Sequence, residues 1–350
     1  MPALLFAQEP ETVEGEAFVP ITPIERLNPS YPTRALQHGN SGWVMLSFVV
    51  SETGEVEEAM IEDSSGAVFE DVALDAVMKW RYTPATVNGK PVAQSMVKTR
   101  ILFDLEGMAK GVTREFQGSY RKIRDLLDTG DYAAAKPLLD ELETEGRQNL
   151  YEDALFWALK YGYLEAVQSG DAAAKRRALE LALGHQDDSL LPADTFIAAA
   201  QRLYVLQVQA VDFSAARATF ERLRDSEYAK RSSQHARAVA ELTPAYEQIE
   251  RVIAGRALLK VKGEIGDHAY WVHDLMRRAF SMADVNGEIA ALDVRCERGT
   301  RRYNMYPVDD VWVVPESWGK CGLYVNGERG TTFTLVEHPA GTPATPLARE

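Results

Sequence analysis

Residues 28–105 place the strongest constraint on the fold, because their apolar side chains are spaced first for strands, then for a helix, and then for a strand again. Apolar residues alternate along residues 43–50, a period of two that predicts a strand with one face in a core. Gly54 then supplies a tight turn before a return strand at residues 56–61. A last strand is predicted over residues 97–105.

Between these strands the spacing changes to that of an amphipathic helix. One apolar stripe is formed by Phe69, Val72, Ala73, Ala76, Val77 and Trp80. Because Pro84 cannot continue a helix, we expect this helix to end near Tyr82. The predicted order is ββαβ, with a short helix at residues 33–37 in front.

The last strand has two chemically different faces. Val97, Thr99, Ile101 and Phe103 lie on one face, and Lys98 and Arg100 lie on the other. We therefore expect the first face to be buried and the second to be in contact with water.

Several short motifs in this region occur together in one known family. They are Tyr31-Pro32, Gly42-Trp43-Val44, Gly54, Trp80-Arg81-Tyr82 with Pro84, and Asn88-Gly89-Lys90-Pro91. With them, about a quarter of the chain resembles the C-terminal domain of TonB, the periplasmic energy transducer of Gram-negative bacteria. The resemblance places a TonB-like domain at residues 19–106.

This resemblance implies a protein or peptide partner. In that family the domain binds the TonB box, a short extended peptide of an outer-membrane receptor, as an added strand. The residues expected at such a site here are Tyr31, Pro32, Val97, Thr99, Ile101 and Phe103. Core packing is the alternative role for Tyr31, as it is for Trp80 and Tyr82.

Family transducers carry an N-terminal transmembrane helix and a Pro-rich spacer, and this sequence departs from that plan. It has no apolar run of about 18 residues, so we predict no membrane span. Asn28 also stands where the classical members carry Gln. Both departures bear on energy coupling rather than on strand binding.

The N-terminus predicts the compartment. Residues 2–7 resemble the end of a secretory signal, with Ala7 as its last residue, and a frayed apolar terminus is the alternative. We assign residues 1–18 to this signal remnant and an acidic, flexible leader. The predicted location is the periplasm.

Length and charge indicate a multidomain protein that does not bind nucleic acid. The chain has 350 residues, of which 46% are hydrophobic, so several cores can form. Its formal net charge of −14 excludes nucleic acid and anionic membrane surfaces as favoured partners.

Residues 112–255 are rich in Ala, Leu, Glu and Arg, which predicts an all-α domain. Three similar sequence segments begin near Asp131, Asp171 and Asp212. Each predicts a helix with Asp as its N-cap and Ala residues in its first turns that allow close packing. The predicted unit is a helix hairpin that resembles a tetratricopeptide repeat. Such repeats serve either as a spacer or as a concave scaffold for a protein partner.

Residues 256–338 predict a small all-β module, followed by a disordered tail at residues 339–350. Asn286-Gly287 and Asn326-Gly327 are typical of two-residue hairpin turns.

Both cysteines of the chain, Cys296 and Cys321, lie in this module. With the secretory-like start they predict a disulfide, and two buried thiols are the alternative. The bond would close a loop of about 26 residues and contribute roughly 3–4 kcal/mol through chain entropy.

The sequence offers little support for catalysis. None of its six histidines has the spacing of a helical zinc site, and no Cys-x-x-Cys, nucleophile elbow or phosphate loop occurs. We therefore predict no metal, no cofactor and no enzymatic activity. An enzyme would need a site assembled from distant residues.

Two functional hypotheses remain from the sequence. The first is a periplasmic, TonB-like energy transducer or transport-associated binding protein that recognises a receptor by strand addition. The second is a non-transducing envelope scaffold whose helical repeats bind a protein partner.

Overall fold

The structure, a computed structural model, describes residues 18–104, 111–144, 149–184, 187–303 and 310–344. Three units follow one another: the N-terminal unit (residues 18–104), the helical unit (residues 111–254) and the C-terminal unit (residues 259–344). The predicted signal and Ala7 lie outside the described residues. None of the described helices is long and apolar enough to cross a membrane.

The N-terminal unit is built around one antiparallel sheet with a helix on one face. Its elements are β1 (Phe18–Val19), β2 (Thr22–Glu25), α1 (Thr33–His38), β3 (Gly42–Val50), β4 (Val56–Ser64), α2 (Glu70–Val77), β5 (Arg81–Thr83), β6 (Ala85–Val87), β7 (Lys90–Val92) and β8 (Gln94–Phe103). The sheet has the order β4-β3-β8, which confirms the ββαβ arrangement. Two small ladders, β2-β5 and β1-β6-β7, hold the segment that precedes α1.

The helix of this unit is shorter than the sequence predicts. α2 ends at Val77, whereas we expected its end near Tyr82. The backbone beyond it is used for strand pairing, because the Tyr82 N–H donates to the Gly54 carbonyl at 2.9 Å. Trp80 follows the helix, remains buried, and donates its indole N–H to the Leu27 carbonyl at 2.8 Å.

Where the structure describes it, the helical unit packs seven α-helices around two apolar clusters. They are α3 (Arg114–Thr129), α4 (Tyr132–Thr144), α5 (Leu150–Ala166), α6 (Ala172–Ala182), α7 (Ala193–Gln209), α8 (Phe213–Asp225) and α9 (His235–Ala254). The three predicted Asp caps are present: the carboxylates of Asp131, Asp171 and Asp212 each accept from a backbone N–H three residues on, at 3.1, 2.8 and 3.2 Å.

The C-terminal unit is a sandwich of two antiparallel sheets. Its strands are β9 (Leu259–Glu264), β10 (Tyr270–Asp274), β11 (Ala279–Asn286), β12 (Ile289–Cys296), β13 (Gly299–Tyr303), β14 (Trp312–Val313), β15 (Cys321–Gly327) and β16 (Thr332–His338). One sheet has the order β10-β15-β12-β13 and the other β14-β11-β16-β9. Side chains from both sheets share one apolar cluster, as expected for face-to-face packing.

Both predicted Asn-Gly hairpins are wrong. Asn286-Gly287 joins β11 to β12 and Asn326-Gly327 ends β15 before the connection to β16, but each pair of strands is divided between the two sheets. These connections therefore cross the sandwich. A consecutive pair does form a hairpin at β12-β13, where Cys296 and Gly299 are opposite each other.

The predicted disulfide is confirmed. Cys296 and Cys321 are bonded, and they occupy opposite positions on the paired strands β12 and β15. Trp318 packs against the same apolar cluster. Of the predicted disordered tail, residues 339–344 are described and contain a turn in which the Thr342 N–H donates to the Pro339 carbonyl at 3.2 Å.

Candidate functional site

The outer edge of β8 is the candidate site. β8 is the last strand of the sheet β4-β3-β8, and among the described residues it pairs with β3 alone. Ile101 and Phe103 are buried in the core, and Val97 packs against it. These side chains hold the strand in place, while its other edge presents main-chain N–H and C=O groups.

A β-bulge limits the length of regular edge. Phe48 is opposite Val97 and Val50 is opposite Gln94, so β8 contains one more residue than β3 across this step. Met96 takes up the difference with a φ of 54°. Because bulges interrupt the regular spacing of a ladder, the regular part of the edge is residues 97–103.

Tyr31 lies at the Phe103 end of this strand. Its ring meets Phe103 and Phe69 edge-on, with centroid distances of 5.9 and 6.4 Å, and its hydroxyl donates to the Asn40 carbonyl at 2.7 Å. Burial raises the pKa of Tyr31 and outweighs the lowering effect of a hydrogen bond with Ser41, so the hydroxyl stays protonated. Tyr31 therefore supports the core and borders the edge at the same time.

The remaining predicted residues have mixed exposure. Pro32 is buried and directly precedes α1, and Thr99 is half-buried in β8. The structure thus brings Tyr31, Phe103 and the rest of β8 together, while Ile101 and Phe103 direct their side chains into the core. Their contribution at the edge would come from the backbone.

The second face of the sheet is covered along β3, whereas Lys98 and Leu102 of β8 keep exposed side chains, so the expectation of a face in contact with water holds only for part of β8. Trp43, Ser47 and Val49 of β3 are buried, although they lie opposite the core-facing residues of the same strand. The helical and C-terminal units cover this face. We call it the outer face of the sheet, and the α2 side its core face.

The helical unit contacts the outer face through an ion pair and a close approach. Arg177 donates to both carboxylate oxygens of Asp63 on β4, at 2.7 and 2.6 Å. Gly184 lies against Trp43, and a Cβ at that position would be 2.6 Å from the indole Cζ2. Glycine is therefore required here for the indole to fit.

The C-terminal unit contacts the same face through Tyr324. This side chain is fully buried, and its hydroxyl lies 2.8 Å from Ser47 Oγ and 3.0 Å from a Glu62 carboxylate oxygen. Burial raises the pKa of Tyr324, and the neighbouring Glu62 raises it further. The phenol therefore stays protonated and is hydrogen-bonded within this polar group.

Lys98 of β8 links the N-terminal unit to the C-terminal unit. Its ammonium lies 3.2 Å from Glu62 and 3.1 Å from Asp274 of β10. Burial alone would lower the pKa of Lys98, but the two carboxylates outweigh it and raise the pKa. Lys98 is thus an interface residue, and its spacing in the strand gave no sign of that.

Groups suited to metal binding are absent from the described part of the chain. His268 pairs with Glu70 and the buried His273 pairs with Glu337, each at 3.0 Å. The two histidines therefore have separate partners.

Two grooves in the helical unit were not predicted from the sequence. One, of about 370 Å³, lies beside α3 and includes Phe116, Tyr120, Arg121 and Arg124. Another, of about 270 Å³, lies beside Tyr161, Lys175 and Arg202. Aromatic and basic residues at helical spacing in α3 were the available signal for the first groove.

Comparison with known proteins addresses the N-terminal unit. Residues 27–105 match the family model of the Gram-negative bacterial TonB protein C-terminal. The match ends there, so the helical and C-terminal units lie outside it.

Two curated relatives are similar to this chain over this region. The chain is 29% identical over 83 residues to the protein TonB of Vibrio cholerae, which covers 23% of this chain and 34% of that protein. It is 36% identical over 66 residues to the protein TonB of Xanthomonas campestris, which covers 19% and 30%. The chain thus spans about a third of the length of these curated relatives.

Solved TonB structures align with the same part. The Pseudomonas aeruginosa TonB C-terminal domain is 27% identical, with a TM-score of 0.23, over 25% of this chain and 90% of that one. The TonB2 protein of Vibrio anguillarum is 31% identical, with a TM-score of 0.21, over 30% and 94%.

These matches confirm the resemblance to the TonB C-terminal domain. The likeness is of low identity and concerns a small part of the chain. For the matched residues 27–105, the likeness to TonB supports the prediction that they have no enzymatic activity.

Proposed function

We propose that residues 27–105 bind an extended peptide of an outer-membrane receptor as an additional strand on the outer edge of β8. The observation that carries this proposal is that β8 pairs with β3 alone among the described residues, while its inward side chains are anchored in the core. Main-chain hydrogen bonds would supply the affinity. Tyr31, Pro32 and Thr99 would border the peptide and contribute selectivity.

We infer that the protein acts in TonB-related transport in the periplasm, with export directed by its N-terminal signal. The disulfide supports this location, since such bonds persist in oxidising compartments. Our proposed domains are a TonB-like domain at residues 19–106, a helical domain with tetratricopeptide-like repeats at residues 112–255, and a β domain at residues 256–338.

Alternate N-methylation of the receptor peptide tests strand addition without altering the protein. An added antiparallel strand donates every second N–H to its neighbour, so one set of methylated amides should abolish binding and the complementary set should preserve it. Binding to the full-length chain is followed by amide NMR, with shifts expected along residues 97–103 and at Tyr31. Equal losses from both methylated sets would contradict backbone pairing.

A second candidate function is an envelope scaffold that binds its partner through the helical unit. The groove beside α3 favours it, because aromatic and charged side chains line a space of about 370 Å³ there. Photoreactive residues placed separately at Gln117 in the groove and at Thr99 on the edge distinguish the two functions in cells. Crosslinks to envelope proteins from Gln117 alone would favour the scaffold, and crosslinks to a receptor from Thr99 would favour strand addition.

A further inference from the structure

A cavity of about 190 Å³ lies where the N-terminal unit meets the helical unit. Its walls on the helical side are mainly apolar, and β8 contributes a single charged side chain, Arg100. The lining residues that determine which ligand fits are Arg100, Glu180, Phe196, Ala200, Leu203 and Arg222.

Arg100 brings a positive charge that forms no ion pair among the described residues, although the charge of Asp63 acts on it from a distance. In the part of the chain that the structure describes, its Nε is buried without a hydrogen-bond partner. The guanidinium lies over the Trp43 ring, 4.9 Å from the centroid. Burial, together with the charge of Arg222, lowers the pKa of Arg100 to about 10, so the group remains charged at neutral pH.

The other charged side chains at this cavity already have partners. Arg222 pairs with Asp188 at 2.7 Å, and Glu180 pairs with Arg176 at 3.6 Å. Burial raises the pKa of Glu180 in spite of the arginines around it, which weakens it as a partner for a further cation. The charge of Arg100 is therefore available to a ligand.

We propose that this cavity binds a small monocarboxylate with a compact, branched aliphatic body, its carboxylate on Arg100 and its hydrocarbon against Phe196, Ala200 and Leu203. A guanidinium matches a carboxylate with two parallel N–H···O bonds. Apolar walls favour a hydrocarbon body over a strongly hydrated inorganic anion.

The size of the cavity sets the size of the ligand. An engineered cavity of about 150 Å³ accommodates benzene, with about six non-hydrogen atoms. The space here is slightly larger, which suits about seven such atoms. 3-Methylbutanoate has this size and is the probe we choose.

The site is independent of strand addition. Arg100 extends from the outer face of the sheet toward the helical unit, whereas an added strand would use the backbone edge of β8. Failure of one proposal therefore leaves the other standing.

Titration of the full-length protein with 3-methylbutanoate, observed by ligand NMR, tests the proposal. A dissociation constant on the order of 1 mM is expected, which is within reach of so small a ligand. 3-Methylbutanamide, the neutral analogue, should bind at least about tenfold more weakly, because it cannot form the charged pair.

Variants locate the site. R100Q should weaken binding of the acid about tenfold, and R100K should retain part of it because the charge remains. R124Q, at an exposed arginine of the groove beside α3, is the matched control and should bind as the wild type does. Equal binding of acid and amide, tighter binding of inorganic phosphate, or wild-type binding by R100Q would each overturn the proposal.

Discussion

The two faces of the sheet β4-β3-β8 both pack against other parts of the protein, but by different chemistry. The core face meets α2 through aliphatic and aromatic side chains such as Phe48, Val77 and Phe103. The outer face meets the other two units through ion pairs and buried hydroxyls, among them Ser47 and Tyr324. The first face folds the unit, and the second fixes the position of its neighbours.

This difference bears on how a peptide-binding edge can be used in a larger protein. Strand addition needs the edge of β8 and leaves both faces intact. The helical and C-terminal units can therefore cover the outer face while residues 97–103 stay unpaired at the edge. An added strand would bind in the plane of the sheet, whereas the two units pack against its outer face. Both contacts can therefore form at the same time.

The largest effect should come from the core face. Phe48→Ala removes a fully buried ring and should lower the free energy of unfolding by about 3–5 kcal/mol. Hydrogen exchange along β3 measures the loss within the N-terminal unit. Faster exchange is expected there because the core that holds the strand is broken.

Phe156→Ala is the matched control, since Phe156 is equally buried but lies in the helical unit. It should speed exchange in the helices and leave β3 protected. If both substitutions exposed β3 to the same degree, the core face would not be an independent core and the contrast between the two faces would fail.

The core face was largely predictable and the outer face was not. Alternating apolar residues and the stripe of α2 identify the core without long-range information. The outer face of β3 also carries Trp43, Met45 and Val49, and apolar residues on both faces are typical of a fully covered strand. The sequence of β3 therefore indicated that both of its faces are covered, but it did not indicate which part of the chain covers the outer face.

The β sandwich shows the same limit. Asn-Gly predicts a tight turn from local backbone geometry, and the chain does bend at Gly287, whereas Asn326 and Gly327 are the last residues of β15. Strand pairing depends on long-range packing of apolar faces, which a local motif does not encode. The chain therefore passes at Gly287 from β11 in one sheet to β12 in the other. Of the candidate site, the sequence predicted the strand and Tyr31, while Lys98, Arg100 and Tyr324 needed the packing of all three units.

A smaller effect is expected at the outer face. Tyr324→Phe removes the hydroxyl that is hydrogen-bonded to Ser47 and Glu62. It should lower the free energy of unfolding by about 1–3 kcal/mol, because these buried polar groups lose their partner. A double-mutant cycle with Ser47→Ala, measured by urea unfolding, isolates the bond between the units. Tyr303→Phe is the control, since that hydroxyl has no hydrogen-bond partner among the described residues. Additive losses would mean that Tyr324 and Ser47 are not coupled.

The smallest effect is expected at Lys98, which is more than a third exposed at its side chain. Lys98→Met should lower the free energy of unfolding by less than about 1 kcal/mol at neutral pH, because solvent screens the ion pairs with Glu62 and Asp274. The pKa of Lys98 is raised above its ordinary value of 10.5, so the charged form is the one that stabilises the fold. This contribution is fully present below about pH 10 and is lost as the pH rises through the folded-state pKa.

Urea unfolding of wild type and Lys98→Met from neutral to alkaline pH measures that contribution as a difference. The gap between the two proteins should be constant up to about pH 10 and then close. Lys79→Met, at an exposed lysine that has no ion pair within the described residues, should show no such gap. A gap that widened in alkali would mean that burial dominates at Lys98 and that the outer face is held together by packing rather than by charge.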